Sequence, residues 1–434
     1  MRVSVTNVKA VAPQEYGDLV TVLQSAEVDT RNGGIVFTEQ DTNPERIQFR
    51  LEPNGTAARS FNVNTGDTFN GTITGVVGNS YTNYKIHTDL SAVQAIHEAG
   101  NSQPETTSIK FAEDKLTVAS YNLENFSNNR SETSDEKANR LADAIGNGMN
   151  TPDIVGLTEV QDNNGSINDG TVSAAESYQR LIDLIEAKTG VKYAYANIDP
   201  ENNLDGGAPG ANIRVGFLYN PARVVLEGTP GKANEATAYE NGSLTLNPGR
   251  IDPTNEAFAN SRKPVAAEFT FKGESVIVIA NHWNSKSGDT GLFGDTQPVI
   301  LGSEVQRKKI AHVVADFITD IKTKNDDANI VALGDFNDFQ FSSALGILEA
   351  AGMHNKIKDL PIGDQYTYIY QGNSQVLDHI LVTSNLAQQT DIDVLHVNAD
   401  FTEASGRASD HDPLMIQIDF SSEVPAASTV DFPK

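Results

Sequence analysis

The chain has 434 residues, of which 38% are hydrophobic and 7% aromatic, so it can build packed cores and is long enough for two domains. It contains no cysteine, which excludes disulfides, thiol nucleophiles and cysteine-bound zinc. The net charge of −26, from 32 basic and 58 acidic residues, counts against a tight nucleic-acid-binding module, because such binding depends on Lys and Arg contacts with phosphates. Solubility or adaptation to high salt is the simpler explanation of this charge. No apolar run reaches the roughly 18 residues that a membrane-spanning helix needs.

Short β-like segments separated by turns fill residues 1–105, and Asn-Gly pairs such as Asn70-Gly71 mark several of the turns. The segments are Arg2–Val8, Gly34–Phe37, Arg46–Leu51 and Thr72–Val77. About five short strands in this length predict a small all-β barrel of the OB type. Such barrels can hold single-stranded nucleic acid on a basic, aromatic face, but this segment has 7 basic and 12 acidic residues. A structural or positioning role is therefore at least as well supported.

A polar stretch after Gly100 leads into a predicted linker at 106–114 and a second domain at 115–420. There, apolar strands alternate with helical stripes, and the longest stripe, between Ile310 and Ile321, follows a potential helix cap at Ser303. Residues 421–434, rich in Ser, Ala and Pro, predict a flexible tail. The first residues, Met1–Ser4, do not predict a signal peptide, although a leader removed from a longer precursor would leave no trace here.

Within the second domain, apolar strands repeatedly end in residues that can bind a metal or a phosphate. These residues are Asn122, Glu159, Asn281, His282, Asp335, Asn337, Asp378, Asp410 and His411. If the strand ends gather at one edge of a sheet, they form a single polar site whose acidic oxygens suit Mg²⁺ or Mn²⁺. Taken singly, each residue has a simpler explanation, such as a solvated turn residue or a structural histidine. The order in which they occur together is more informative.

That order resembles the endonuclease/exonuclease/phosphatase superfamily over roughly Lys115–Phe420. The matching segments are Ser120-Tyr121-Asn122, Leu157-Thr158-Glu159, Asn281-His282, Gly334-Asp335-Phe336-Asn337, Val376-Leu377-Asp378 and Ser409-Asp410-His411. A looser match, Arg262-Lys263-Pro264, is similar to a segment whose arginine contacts phosphate in the deoxyribonuclease-like branch. The segment Arg214–Tyr219 departs from this branch, because it lacks the glutamate that usually accompanies the first histidine.

The resemblance implies an α/β fold, namely a four-layered α/β sandwich of two packed mixed sheets flanked by helices, preceded by the OB-like barrel. Asn122, Glu159 and Asp410 are the expected metal ligands, for Mg²⁺ or Mn²⁺ and with Ca²⁺ also compatible. The expected catalytic residues are His282, Asp335, Asn337, Asp378, His411 and Arg262. In this scheme His411 is oriented by Asp378 and acts on the phosphate or the water, while His282 protonates the leaving oxygen.

The resemblance therefore predicts a divalent-metal-dependent nuclease with nucleic acid, most plausibly DNA, as its substrate. The order of the two domains is similar to that of secreted or wall-attached bacterial nucleases, which predicts a secreted or cell-surface protein. One alternative is a phosphomonoesterase or a sphingomyelinase-like lipid phosphodiesterase with the same core chemistry. The other is a non-catalytic nucleic-acid-binding or surface module. No protein partner can be inferred from the sequence.

Overall fold

The computed structural model describes residues 1–81, 83–292, 294 and 296–421, so the predicted tail lies outside the described residues from position 422 onward. The N-terminal elements are β1 (Arg2–Ala10), β2 (Asp18–Leu23), β3 (Ile35–Val36), β4 (Ile47–Glu52), α1 (Thr56–Arg59), β5 (Thr68–Ser80), β6 (Asn83–Asp89), α2 (Leu90–Gln94) and β7 (His97–Glu98). Strands β1, β2, β4, β6 and β5 pair in this order, and β5 closes the barrel on β1. All of these pairs are antiparallel except β4 with β6. This is the five-stranded OB arrangement, as predicted.

The second part of the chain supplies two larger sheets and their helices. Its strands are β8 (Leu116–Phe126), β9 (Ile154–Val160), β10 (Ala194–Asn197), β11 (Arg214–Tyr219), β12 (Val225–Leu226), β13 (Tyr239–Glu240), β14 (Ser243–Leu244), β15 (Gly249–Arg250), β16 (Val265–Phe271), β17 (Glu274–His282), β18 (Asn329–Asp335), β19 (Met353–Asn355), β20 (Tyr368–Tyr370), β21 (Asn373–Gln375), β22 (Asp378–Thr383), β23 (Thr390–Val394) and β24 (Leu414–Ile418). Its helices are α3 (Asp135–Asp143), α4 (Ala175–Thr189), α5 (Glu304–Lys324) and α6 (Ser343–Ala350).

The two sheets pack face to face between two layers of helices. One sheet has the order β10-β11-β9-β8-β24-β23, and the other has the order β12-β16-β17-β18-β22-β19 with β15 added beside β16. Fully buried side chains from both sheets, such as Val118, Phe217, Val278 and Ile380, form the central core. Helices α3 and α4 cover the outer face of the first sheet, and α5 and α6 cover that of the second. The predicted four-layered sandwich is confirmed.

The barrel and the sandwich make direct contact through the segment between β2 and β4. Strand β3 leaves the barrel and pairs in parallel with β21, extending the β20–β21 hairpin to a three-stranded sheet. The Asn43 amide donates to Asn373 Oδ1 at 2.8 Å, and the Asn32 amide donates to Asp400 Oδ2 at 2.7 Å. The ring of Phe37 packs against Phe339, with ring centroids 4.8 Å apart. The Gly34–Phe37 segment, which the sequence suggested for the barrel, therefore belongs to the junction between the domains.

The prediction that Ser303 caps a helix is wrong, because Ser303 makes no capping hydrogen bond. Ser303 does precede α5, but its side chain accepts no hydrogen bond from the first turn of the helix. Its hydroxyl instead donates to Asp289 at 2.8 Å and accepts from the Arg307 guanidinium at 2.7 Å. Tertiary contacts have thus replaced the local cap. No helix among the described residues has the length and apolar character to cross a bilayer.

Candidate active site

The predicted strand-end residues converge at one edge of the sandwich because each sheet contributes a parallel pair of strands. In the first sheet, β8 and β9 run in parallel and carry Asn122 and Glu159 at the same end. In the second sheet, β17 and β18 run in parallel, with His282 beside Asp335, while antiparallel β22 places Asp378 on the other side of Asp335. The two sheets face each other, so these residues meet across the sandwich.

Residues from the two sheets are joined by direct hydrogen bonds. The Asn122 amide donates to Glu159 Oε1 at 3.3 Å and to Asp335 Oδ2 at 3.2 Å. The Ser409 hydroxyl donates to the carbonyl of Asn122 at 2.7 Å, which ties the segment before β24 to the end of β8. The segments that carry the sequence resemblance are therefore in contact with one another.

The backbone at the site adopts uncommon conformations that re-aim functional side chains. Glu159 has a φ of 60° and lies at an irregularity in the pairing of β9 with β11 and β8, and Asn337 has a φ of 52°. Gly334 has a φ of 129°, and a Cβ at this position would lie 2.0 Å from the carbonyl oxygen of Asn281. Only glycine fits at position 334, which explains the glycine that precedes Asp335. Residues other than glycine keep a left-handed backbone conformation only where the surrounding structure stabilises it, and such residues cluster at functional sites.

His411 is held by a buried carboxylate. Its Nδ1 lies 2.6 Å from Asp378 Oδ2, and the same oxygen accepts a hydrogen bond from the Thr367 hydroxyl at 2.8 Å. Its Nε2 faces the site, 3.9 Å from Asp335 Oδ2 and 4.0 Å from Asp410 Oδ1. Burial lowers the pKa of His411, but the surrounding carboxylates outweigh burial and raise this pKa well above 6.5.

His282 has the opposite environment. Its Nε2 lies 3.6 Å from Asp335 Oδ2 and 3.8 Å from Glu159 Oε1, while its buried Nδ1 has no hydrogen-bond partner among the described residues. The missing partner agrees with the absence of an acidic residue on β11. Burial and the positive charges of Arg262 and His411 hold the pKa of His282 well below 6.5. The neutral imidazole is therefore its favoured form.

Arg262 and Asn337 both donate to the carbonyl of Trp283, at 2.5 and 3.2 Å. The backbone amide of Asn337 also donates to Asp335 Oδ1 at 2.8 Å. Arg262 is largely buried, and its charge offsets part of the rise that burial and Asp410 cause in the pKa of Glu159, so it lies at the site as the loose sequence match suggested. In this structure the hydrogen bond from its Nη2 goes to backbone.

Within the part of the chain that the structure describes, two groups of side chains have the geometry to hold a metal ion. They are Glu159, His282 and Asp335, and Asp335, Asp378 and His411, with the ligand atoms of each group within 4.8 Å of one another. Burial and the charge of Asp410 raise the pKa of Glu159, and burial likewise raises that of Asp335. Carboxylates crowded in this way favour a cation, which would relieve their repulsion. Asp410 lies outside both groups and lines a neighbouring cleft.

Two residues of the site carried no recognisable pattern in the sequence. Thr367 supports the Asp378 carboxylate, and the ring of Tyr368 packs on the His411 imidazole with centroids 4.8 Å apart. Both belong to the β20–β21 hairpin region. Nothing in the local sequence distinguishes them from other surface-hairpin residues, because their role depends on how the hairpin folds over the strand ends.

Comparison with known proteins agrees with this geometry. Residues 243–417 match the model of the Endonuclease/Exonuclease/phosphatase family, and residues 1–98 match a domain of unknown function, DUF8508. The first match confirms the resemblance drawn from the strand-end motifs. No protein of curated function matches the chain.

Solved structures of similar fold align with about two thirds of the chain. D. rerio TDP2 in complex with a single-strand DNA product is 18% identical, covers 70% of this chain and 98% of its own, and has a TM-score of 0.42. The endonuclease/exonuclease/phosphatase from Bacteroides vulgatus is 17% identical, with coverage of 70% and 98% and a TM-score of 0.43. The human Nocturnin catalytic domain is 14% identical, with coverage of 71% and 95% and a TM-score of 0.44.

Proposed function

We propose that this chain, whose residues 243–417 belong to the endonuclease/exonuclease/phosphatase family, is a divalent-metal-dependent phosphodiesterase that cleaves nucleic acid. The observation that carries the proposal is the convergence of six strand ends from two sheets on one carboxylate and imidazole cluster. A binding module would gain nothing from placing the buried Asp335 and Asp378 and the half-buried Glu159 beside two histidines, because each carboxylate removed from water costs stability.

The donor set suits a hard divalent cation such as Mg²⁺ or Mn²⁺. Glu159 and Asp335 supply carboxylate oxygens, and Asp410 stands close enough to affect the pKa of Glu159. Asn122, the third expected ligand, presents its amide nitrogen to Glu159 and Asp335 while its amide oxygen accepts from the backbone N–H of Glu124, so it positions these two carboxylates here. When bound, the cation would stabilise the negative charge that builds on the phosphate in the transition state. Ca²⁺ also takes such ligands, so the metal preference is a question for the assay.

The hydrogen bonds define which atoms can handle protons. Because Asp378 holds Nδ1 of His411, Nε2 is the atom that faces the substrate, and the carboxylates around it favour the imidazolium form. His411 would donate a hydrogen bond or a proton to a phosphate oxygen. Asp335 and Asn337 would orient the attacking water, because the backbone amide of Asn337 donates to Asp335 Oδ1 and fixes the two residues relative to each other.

His282 and Arg262 complete the proposed site. The sequence resemblance assigned His282 the role of protonating the leaving oxygen. With its pKa well below 6.5, His282 would first act as a hydrogen-bond acceptor or metal ligand, and it would donate only after taking up a proton. Arg262 would release its hydrogen bond to the Trp283 carbonyl and donate instead to a non-bridging phosphate oxygen of the substrate.

We propose DNA as the first substrate to test and the cell exterior as the place of action, both from the resemblance of the domain arrangement. The domain limits follow the same proposal, with the barrel at 1–105, the linker at 106–114 and the catalytic domain at 115–420. The strands of the barrel, which end at Glu98, are compatible with these limits.

The test incubates the full chain with supercoiled plasmid, single-stranded DNA and RNA, each with Mg²⁺, Mn²⁺ or EDTA. We expect metal-dependent cleavage that is lost in His411→Ala and retained in His312→Ala, a matched change at an exposed histidine of α5. Absence of cleavage in all nucleic acids would overturn the proposal. Small phosphate esters and sphingomyelin would then test the phosphomonoesterase and lipid alternatives.

A further inference from the structure

A cleft of about 340 Å³ lies between the barrel and the sandwich, next to the candidate active site. Asp410 and Tyr368 line it on the sandwich side. Tyr368 also packs on the His411 ring, so the cleft opens beside the imidazole that faces the scissile phosphate. A nucleic-acid strand with a phosphate beside His411 would extend into this cleft or lie across its entrance.

Exposed tyrosines from two barrel turns reach the cleft. Tyr16, in the β1–β2 turn, is 68% exposed, and Tyr81, in the β5–β6 turn, is 74% exposed. Both have left-handed backbone conformations, with φ of 51° and 50°. A bulky residue in this conformation is uncommon and requires support from its surroundings. Tyr370 of the sandwich, 52% exposed, faces the same cleft. The corresponding turns are the ones with which OB folds contact oligonucleotides.

The charge of the cleft differs from that of the whole chain. Four basic residues line it, Arg50, Arg59, Lys85 and Arg407, together with three acidic ones, Glu15, Asp18 and Asp410. The chain as a whole has 32 basic and 58 acidic residues, so the cleft is a local excess of positive charge on an acidic molecule.

One of the three acidic residues is already neutralised within the cleft. Asp18 accepts from Arg50 at 2.9 Å and from Lys85 at 2.7 Å. Both cations also lie near the Tyr81 ring, 5.4 and 5.5 Å from its centroid. Aromatic rings next to cations are the combination that holds unpaired bases and their phosphates.

We propose that this cleft binds a few unpaired nucleotides of the substrate strand adjacent to the scissile phosphate, with bases stacked on Tyr81 and Tyr370 and phosphates contacted by Arg59 and Arg407. The inference rests on the proposed function and adds a substrate class to it. A cleft of about 340 Å³ has the size of a small-molecule pocket, so it can take unpaired nucleotides and is too small to enclose a double helix. The enzyme therefore acts on single-stranded nucleic acid in preference to intact duplex.

The test measures binding separately from cleavage. Fluorescence anisotropy with a labelled oligothymidine of about ten nucleotides, in EDTA, gives the dissociation constant for the full chain and for Tyr81→Ala. We expect Tyr81→Ala to raise this constant about 5-fold to 150-fold, as the loss of one stacked base does. Arg407→Ala should reduce the slope of the logarithm of the binding constant against the logarithm of the salt concentration by about the amount that one phosphate contact contributes. Tyr84→Ala is the matched control, because Tyr84 is 65% exposed on the same barrel but does not line the cleft.

Cleavage of bis(p-nitrophenyl) phosphate, a phosphodiester without bases, reports the active site alone. Support for the cleft consists of weakened oligothymidine binding in Tyr81→Ala with an unchanged rate on the small diester. Equal affinity in Tyr81→Ala, Tyr84→Ala and the unchanged chain would overturn the cleft proposal, even if nucleic acid is cleaved. Loss of affinity in Tyr81→Ala alone, without cleavage of any phosphodiester by the unchanged chain, would overturn the proposed function and leave the cleft as a binding site.

Discussion

Replacing Asp378 with asparagine tests the central pair of the proposed mechanism. The substitution keeps the shape of the side chain but removes the charge that faces His411 Nδ1 at 2.6 Å. At this distance and an effective dielectric constant of ~20, the attraction of a full charge pair is about 6 kcal/mol. This value is an upper bound, because the asparagine carbonyl oxygen can still accept from Nδ1. A loss of about 10²-fold to 10⁴-fold in kcat corresponds to about 3–5.5 kcal/mol and lies below that bound.

The assay is kcat on bis(p-nitrophenyl) phosphate at saturating metal, together with circular dichroism to establish folding. Thr367→Val provides an intermediate case, because it leaves the charge in place and removes the 2.8 Å hydrogen bond to the same carboxylate oxygen, together with the acceptor of the Leu377 and Asp378 backbone amides. We expect it to lose about tenfold at most. A folded Asp378→Asn protein with kcat within about threefold of the unchanged chain would refute the view that Asp378 orients His411.

Three further predictions concern the metal, the core and pH. Mg²⁺ at about 100 times its dissociation constant should raise the free energy of unfolding by about 2.7 kcal/mol, and Glu159→Gln should remove most of this gain in a thermal melt. Trp283→Ala should cost about 3–5 kcal/mol in urea unfolding, because the side chain is fully buried; a cost below about 1 kcal/mol would contradict the packing. Burial lowers the pKa of His396, but Asp412 and nearby acids outweigh it and raise that pKa above 6.5. The contribution of His396 to the free energy of unfolding is thus complete below pH 6.5 and is lost as pH rises through the folded-state pKa. The free energy of unfolding should therefore fall over this pH range in the unchanged chain, and this fall should be absent in His396→Gln.

The site could be predicted from the sequence because its residues follow buried strands. Apolar runs such as Val276–Ala280 identify strands without knowledge of their neighbours, and the residue after such a run must lie at a sheet edge. His282 and Asp335 end such strands, whereas Asp378 begins β22 and His411 precedes β24, so the family motifs and not the strand pattern identified these last two. Their meeting point depends on the parallel pairing of β17 with β18, which no local pattern in the sequence specifies.

Other features depended on contacts between residues distant in sequence. The short segment Ile35–Val36 reads as a barrel strand by composition, yet its partner lies more than 330 positions away in β21. Ser303 has the residue type of a helix cap, but Asp289 and Arg307 compete successfully for its hydroxyl. The unpartnered Nδ1 of His282 was the one irregularity visible in advance, as a missing acidic residue on β11. Local patterns cannot rank such competing partners.

The pairing of β3 with β21 fixes the position of the barrel relative to the sandwich. A module on a flexible tether would search for its substrate and pay the entropy of docking at each encounter. Here β3, in the connection between two barrel strands, shares a sheet with the hairpin that carries Tyr370. In the same connection, Phe37 packs against Phe339, two residues after Asn337. The width of the intervening cleft is therefore set during folding, and a captured strand meets a preorganised surface. Excision at the linker would expose the edge of β21 and remove one wall of the cleft, so the complete cleft exists only when the barrel and the sandwich are both present.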